Sequence, residues 1–215
     1  MLPPRLLLTA LLVLYVVLQG GTATAQNRKP QPPPNKHSKP FPSLYERIHA
    51  RMEKDPKLAE KVSTAAPELQ QVMWMVGKWE VTARVFATAT TPEQISKGQS
   101  EVRLAIGGRW LIVSDRYSDE GADESYLTFN RFTEKWISIT LSTSGDAVTA
   151  TSDRWQENRL VFLASEIVIL GERVTLRQTL ERRSDTEYHI LNEEKLPNGK
   201  WQAVDEYTYR KQSGN

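Results

Sequence analysis

The sequence predicts an all-β protein: an up-and-down antiparallel meander barrel of about ten strands, preceded by short N-terminal helices. Three observations predict it. From Gly77 to Arg210 apolar and polar residues alternate in short runs, the period of a half-buried strand. The runs are cut by compact turn signals at Gly107-Gly108, Ser144-Gly145-Asp146, Glu157-Asn158 and Asn198-Gly199. Asn-Gly in particular favours a two-residue type I′ hairpin. No second long helical pattern interrupts the runs, so consecutive strands pair directly rather than through crossover helices. A β-sandwich is the main alternative.

The elements follow in order. Arg5 precedes an apolar stretch, Leu6 to Leu18, and Ala23-Thr24-Ala25 supplies a small-x-small cleavage site. Residues 1–25 therefore read as a signal peptide cut after Ala25. The stretch is shorter than the roughly 20 apolar residues a spanning helix needs, although an uncleaved anchor is the competing reading. Residues 26–42 (QNRKPQPPPNKHSKPFP) are Pro-rich and polar, a composition that cannot bury enough surface to offset its ordering entropy, and read as a disordered linker. Residues 43–76 form a helical segment. Leu44, Ile48 and Met52 recur at helical spacing until Asp55-Pro56, and Lys57 to Ser63 adds a polar turn or two. Pro67 suits a first helical position, and Leu69, Val72, Met73 and Val76 line one face until Gly77. Such a helix, directly before the first strand, is placed to plug one end of a barrel spanning residues 77–211.

Ten strands are expected: Lys78–Phe86, Gly98–Ile106, Trp110–Tyr117, Glu124–Phe132, Trp136–Ser142, Ala147–Trp155, Arg159–Ile169, Glu172–Arg182, Thr186–Leu196 and Trp201–Arg210. A two-residue loop at Asn198-Gly199 sets Leu196 opposite Trp201, Glu194 opposite Ala203, Asn192 opposite Asp205, and Ile190 opposite Tyr207. A three-residue loop at Arg183-Ser184-Asp185 sets Leu180 opposite Tyr188, Gln178 opposite Ile190, and Leu176 opposite Asn192. A slip by one residue would put Leu176 and Leu180 on the wrong face, which burial disfavours. One face then carries Val174, Leu176, Leu180, Tyr188, Ile190, Ala203, Tyr207 and Tyr209, interrupted by Gln178, Asn192, Glu194 and Asp205. Apolar walls with a few convergent polar groups suit a small-molecule cavity, and Gln178, Asn192, Asp205 and Tyr207 are the candidate ligand-binding residues. Asn192 pairing with Asp205 purely as internal structure is the competing reading.

Three segments carry a family resemblance. Met75-Val76-Gly77-Lys78-Trp79-Glu80, then Ile106-Gly107-Gly108-Arg109-Trp110-Leu111, then Asp205-Glu206-Tyr207-Thr208-Tyr209-Arg210 resemble a bacterial lipocalin-like (calycin-type) family of unknown function, over about Pro67 to Lys211. The resemblance implies a meander barrel with one closed end. It also implies that the Trp of the G-x-W motif, Trp79, stacks against a late-strand arginine, matched here by Arg210. In the second motif the glycines allow a tight, φ > 0 connection, with Arg109 as a carbonyl-binding clamp.

Composition narrows the chemistry. There is no cysteine, which removes disulfides, thiolate nucleophiles and cysteine metal sites. The formal charge is +2 with both signs interspersed, unlike the one-sided basic face of a nucleic-acid binder. Of three histidines only His189 falls in the barrel, on the face opposite Tyr188, so neither a haem ligand nor a zinc set is expected. Gly-x-Ser-x-Gly is absent, and Glu193-Glu194 and Asp205-Glu206 point to opposite faces as neighbours in strands. Glu194 with Asp205 is the one conceivable acid/base couple. The expectation is no catalytic residue, no metal and no cofactor. The chain reads as a periplasmic or secreted barrel holding a small, largely apolar ligand. The alternative is a cell-envelope interaction module whose barrel is filled by its own side chains.

Overall fold

A computed structural model describes residues 41–117, 121–169 and 171–213. The signal peptide expected at 1–25, and the linker up to residue 40, lie outside the described residues. The described residues divide into two units between Arg47 and Ile48. In the first, Ser43 and Glu46 form a reciprocal capping box, with Ser43 N–H donating to Glu46 Oε2 (2.6 Å) and Glu46 N–H to Ser43 Oγ (3.3 Å). They open helix α1 (Leu44–Lys54). Helix α2 (Pro56–Ser63) begins at Asp55, whose carboxylate accepts from the N–H groups of Lys57 and Leu58, with Pro56 in the first turn. Among the described residues no helix is long and apolar enough to cross a membrane.

Pro67–Met75 is a 3₁₀ segment rather than an α-helix. Its buried residues are Leu69, Val72 and Met75, three apart, which is the 3₁₀ period. Met73 and Val76, expected on the same face, are half-buried and still pack against the core, while Met75 takes the fully buried place.

Beyond it the chain forms β1 (Gly77–Val85), β2 (Gln94–Ala105), β3 (Trp110–Tyr117), β4 (Ala122–Asn130), β5 (Lys135–Ser142), β6 (Ala147–Ser152), β7 (Trp155–Gln156), β8 (Arg159–Ile169), β9 (Glu172–Arg182), β10 (Glu187–Lys195) and β11 (Trp201–Lys211). The order is β6-β5-β4-β3-β2-β1-β11-β10-β9-β8, with two-residue β7 beside β8. A β6–β8 pairing, Thr151 with Leu163, closes the sheet. This is the closed ten-stranded up-and-down barrel the alternation predicts. β6 and β7, expected as one strand, are separated at Asp153-Arg154.

Strand pairing divides the inner face in two. Toward the 3₁₀ segment it is packed and dry: Trp79, Leu111, Trp136, Leu160, Phe162 and Tyr188 are all at most 2% exposed. The 3₁₀ residues Leu69, Val72 and Met75 join that cluster. Trp79 Nε1 donates to Met75 O (2.7 Å), tying the plug to the first strand. Trp79, Trp74 and Tyr188 meet edge to face, and Tyr188 stacks on Tyr209 at 4.2 Å.

Several expectations need correction here. The cation over Trp79 is Lys211, 5.2 Å from the ring centroid, not Arg210. Lys211 is the direct register partner of Trp79. Arg210 alternates to the outer face and pairs there with Glu187 (3.0 Å). Arg109 does bind a carbonyl, but that of Ser63 at the end of α2 (2.7 Å). The turn before it has positive φ at Ile106, Gly107 and Gly108.

The β9–β10 register is two residues away from the expected one: Leu180 pairs with Ile190, Gln178 with Asn192 and Leu176 with Glu194. A shift of two preserves the face, so the inward set survives. In the β10–β11 hairpin Ile190 pairs with Tyr207 and Asn192 with Asp205 as expected. A bulge at Asn192/Glu193 then pairs Glu193 with Ala203 and Glu194 with Gln202. Ala203 is consequently exposed rather than on the inner wall.

Candidate functional site

The half of the barrel away from the plug carries the polar inner residues. Its rim is formed by the ends of β1, β3, β5, β8 and β10 and the starts of their hairpin partners. The four predicted residues meet here. Gln178 Nε2 donates to Asn192 Oδ1 (3.1 Å), and Asn192 Nδ2 donates to Asp205 Oδ1 (2.7 Å). Tyr207 is adjacent on the same face of β11, and all four are half-buried. A void of about 40 Å³, large enough for a few waters, lies beside Gln178 and Asn192, walled by Val148, Ala150, Ala164 and Leu176.

Two further carboxylates join them. Asp115 on β3 and Asp123 on β4 are direct register partners and share the inner face. Asp115 is 6% exposed. Its Oδ2 accepts from Tyr209 OH (2.8 Å) and Tyr117 OH (3.4 Å). Tyr117 and Tyr207 face each other with ring centroids 6.3 Å apart. Asp115, Asp123 and Tyr117 were not among the predicted site residues. The signal was present: in β3, Leu111, Val113, Asp115 and Tyr117 alternate onto one face, and the hairpin back through β4 brings Asp123 opposite Asp115.

Burial dominates the electrostatics. It pushes the Asp205 carboxyl up from 3.8 to about 6, against the Asn192 hydrogen bond, with repulsion from Asp123 adding to the rise. Burial raises Asp115 also, partly offset by its hydroxyl donors. Asp123 is raised by burial and then by Asp115. The Tyr207 phenol is pushed up by burial and by Asp205, Asp123 and Asp115, so all three carboxylates act on one ring.

At the floor, Asp115 Oδ1, Ser100 Oγ and Tyr188 OH are buried without a hydrogen-bond partner among the described residues. Ser100 is the register partner of Asp115. Its hydroxyl is close enough to lower both the Asp115 carboxyl and the Tyr188 phenol, short of a well-formed hydrogen bond.

His189 faces outward, bonded to Glu206 (3.1 Å). Glu194 pairs with Gln202 instead of Ala203 after the bulge, and across β9 it faces Leu176 toward the rim, with no hydrogen bond to Asp205. Among the described residues no three His, Cys, Asp or Glu converge as a metal set. A larger cleft of about 550 Å³ lies at the plugged end, between Pro67, Glu68 and Gln71 of the 3₁₀ segment and Phe129, Trp136 and Trp155 of the strands. Its Lys61, Arg131 and Arg154 are balanced by Glu68, Glu134 and Asp153, and it opens broadly to solvent. The inner cup concentrates one sign of charge in a desolvated space, and it is the stronger candidate.

The fold and this site define a closed antiparallel barrel with one plugged, dry end and one polar cup. The chain belongs to the DUF1579 family of proteins of unknown function, whose model matches residues 64–211. The crystal structure of Rv2717c from M. tuberculosis is similar in fold at 13% identity, covering 70% of this chain and 100% of that one, with a TM-score of 0.55. A protein of unknown function from the DUF3598 family of Nostoc punctiforme PCC 73102 is matched at 14% identity over 66% of this chain and 49% of its own, with a TM-score of 0.39. No curated protein matches the chain.

Proposed function

We propose that this chain is an exported, lipocalin-like barrel that binds a small, largely apolar molecule in its open half. Gln178, Asn192, Asp205 and Tyr207 supply the polar contacts. The observation that carries the reading is the contrast between the two halves of one inner face. The plugged half shows that this sequence fills a barrel with Trp79, Trp136, Phe162 and Leu160. The other half instead holds half-buried polar groups, among them a carboxyl that burial disfavours. Desolvated polar groups destabilise a barrel that needs only to stand, and they suit one that recognises a guest.

The test is native mass spectrometry of the protein purified from the envelope fraction of its own cells, followed by titration with a fluorescent fatty acid and a fluorescent fatty amine. An added small-molecule mass, lost on denaturation, and saturable probe binding support the reading. An unliganded protein that binds neither probe overturns it. N-terminal sequencing of the same material tests export: the mature chain should begin at Gln26.

A second reading has its own observation. Asn192 is engaged by both Gln178 and Asp205, and the adjoining void is only about 40 Å³. These fit a self-filled barrel serving as an envelope interaction module, and the unliganded outcome selects it.

A further inference from the structure

We propose that the molecule held in the cup carries a protonated amine, received between the rings of Tyr117 and Tyr207 and the carboxylates of Asp115, Asp123 and Asp205. The inference rests on the ligand-binding reading above and names the chemistry of the ligand's polar end.

The cup gathers carboxylates with no cation beside them among the described residues of the inner face. Asp115 and Asp123 are directly opposed across β3 and β4 on the inner face, an arrangement of like charges that destabilises a sheet. Asp123 raises the Asp205 carboxyl, and both raise the Tyr207 phenol. Glu194, facing Leu176 on the inner side of β10, adds another carboxylate toward the rim. Among the described inward-facing residues of this half there is no lysine or arginine. The cations of the neighbouring strands serve elsewhere: Arg177 pairs with Glu193 outside, and Lys211 covers Trp79 at the plug.

The floor adds buried acceptors. Asp115, 6% exposed, and Ser100, 3% exposed, lie directly across the pair of strands, and Asp115 Oδ1 and Ser100 Oγ have no well-formed hydrogen bond, although the Ser100 hydroxyl is close enough to lower the Asp115 carboxyl. An ammonium group brings three donors and a positive charge, and it meets an acceptor-rich floor where a neutral or anionic group would not.

Two tyrosine rings 6.3 Å apart and tilted by 47° offer π-faces to a cation beside the carboxylates. Faces combined with acids are how proteins recognise ammonium groups.

The experiment compares three probes of equal chain length by calorimetry at pH 7.5, each below its aggregation limit: dodecylamine, dodecanol and dodecanoate. The protein is the full mature chain. The amine is expected to bind at least about tenfold tighter than the alcohol, as a charge-assisted hydrogen bond supplies. Dodecanoate is expected to bind weakest. Asp123→Asn and Asp205→Asn, each confirmed folded by its melting curve, should each weaken the amine about tenfold and leave dodecanol unchanged. Glu181→Gln, on the outer face, should change neither. Equal affinity for amine and alcohol, or preference for dodecanoate, overturns the amine inference while leaving a ligand-binding barrel. Failure of all three probes overturns both readings. Loss of amine binding in Glu181→Gln would place the binding on the outer surface and also overturn the inference.

Discussion

Asp205→Asn should stabilise the ligand-free protein at neutral pH and erase part of its pH dependence. The Asp205 carboxyl rises from 3.8 to about 6 on folding, chiefly through burial. At about 1.4 kcal/mol per pH unit, that rise corresponds to about 3 kcal/mol of destabilisation once the group is ionised. The folded state holds the proton more tightly than the unfolded chain. Between about pH 4 and pH 6 it therefore binds more protons, and stability falls as pH increases through that window. Below the window both states are protonated and the cost is absent; above it the cost is complete. Asp115 and Asp123, raised for the same reason, act in the same direction. The amide in the variant cannot ionise, and its oxygen can still accept from Asn192 Nδ2. After loss of the charge-assisted part of that bond, a net gain of about 1–3 kcal/mol at pH 7.5 is expected. For a protein of this size that is a rise in Tm of roughly 3–10 °C. Thermal melts of both proteins at pH 4.0, 5.0, 6.0 and 7.5 read it directly. The two curves should converge at pH 4.0 and separate toward pH 7.5. A variant less stable than the parent at pH 7.5, or a gap unchanged across the series, refutes the reasoning that Asp205 is ionised in a desolvated cup.

Other outcomes follow from the packing. Lys211→Ala removes the ammonium over Trp79 and its hydrogen bond to Trp74 O, and should cost about 1–2 kcal/mol in a denaturant melt, whereas Arg210→Ala should change stability by less than about 0.5 kcal/mol. Tyr209→Phe takes a 2.8 Å donor from the buried Asp115 and should lower stability by about 1–3 kcal/mol, measured in the same way. Gly98→Ala should destabilise more strongly than an ordinary surface change, because an added Cβ would sit 2.2 Å from Arg116 O in the neighbouring strand; equal melting temperatures would contradict that close approach. Ile106→Gly, at φ 51° on an exposed turn, should gain up to about 1 kcal/mol by releasing left-handed strain on a β-branched residue.

The barrel was legible because alternation and turn chemistry agree. Each hairpin is marked by residues that make sense only in a tight connection, and Asn198-Gly199 joins β10 and β11 where the pattern breaks. Finer register was legible only to parity. The loop after Arg182 is longer than its three most turn-like residues, so β9 and β10 are offset by two from the expectation, a shift alternation cannot detect because it preserves the face. The bulge at Asn192/Glu193 left no mark, since one unpaired residue inside a strand has no residue type of its own. Arg210 was the wrong partner for Trp79 for a reason visible in hindsight: Tyr207 and Tyr209 alternate inward, so Lys211 follows them and Arg210 does not. Within the site, Gln178, Asn192, Asp205 and Tyr207 were accessible because their two hairpins could be aligned. Asp115 and Asp123 were not, because the fourth strand was expected to begin at Glu124, which leaves Asp123 in the preceding loop rather than opposite Asp115. The carboxylate that turns inward from it is distinguishable only once the strands are paired.

The central claim is that the inward polar groups of the open half receive a ligand. The most direct measurement follows the side-chain amide NMR resonances of Gln178 and Asn192 during titration with dodecylamine, with Asn158, which bonds Arg182 O at the opposite end, as the internal control. Saturable shifts at Gln178 and Asn192 with Asn158 unmoved are the predicted result. Unmoved Gln178 and Asn192 resonances at ligand saturation, or shifts centred on Asn158, would contradict it.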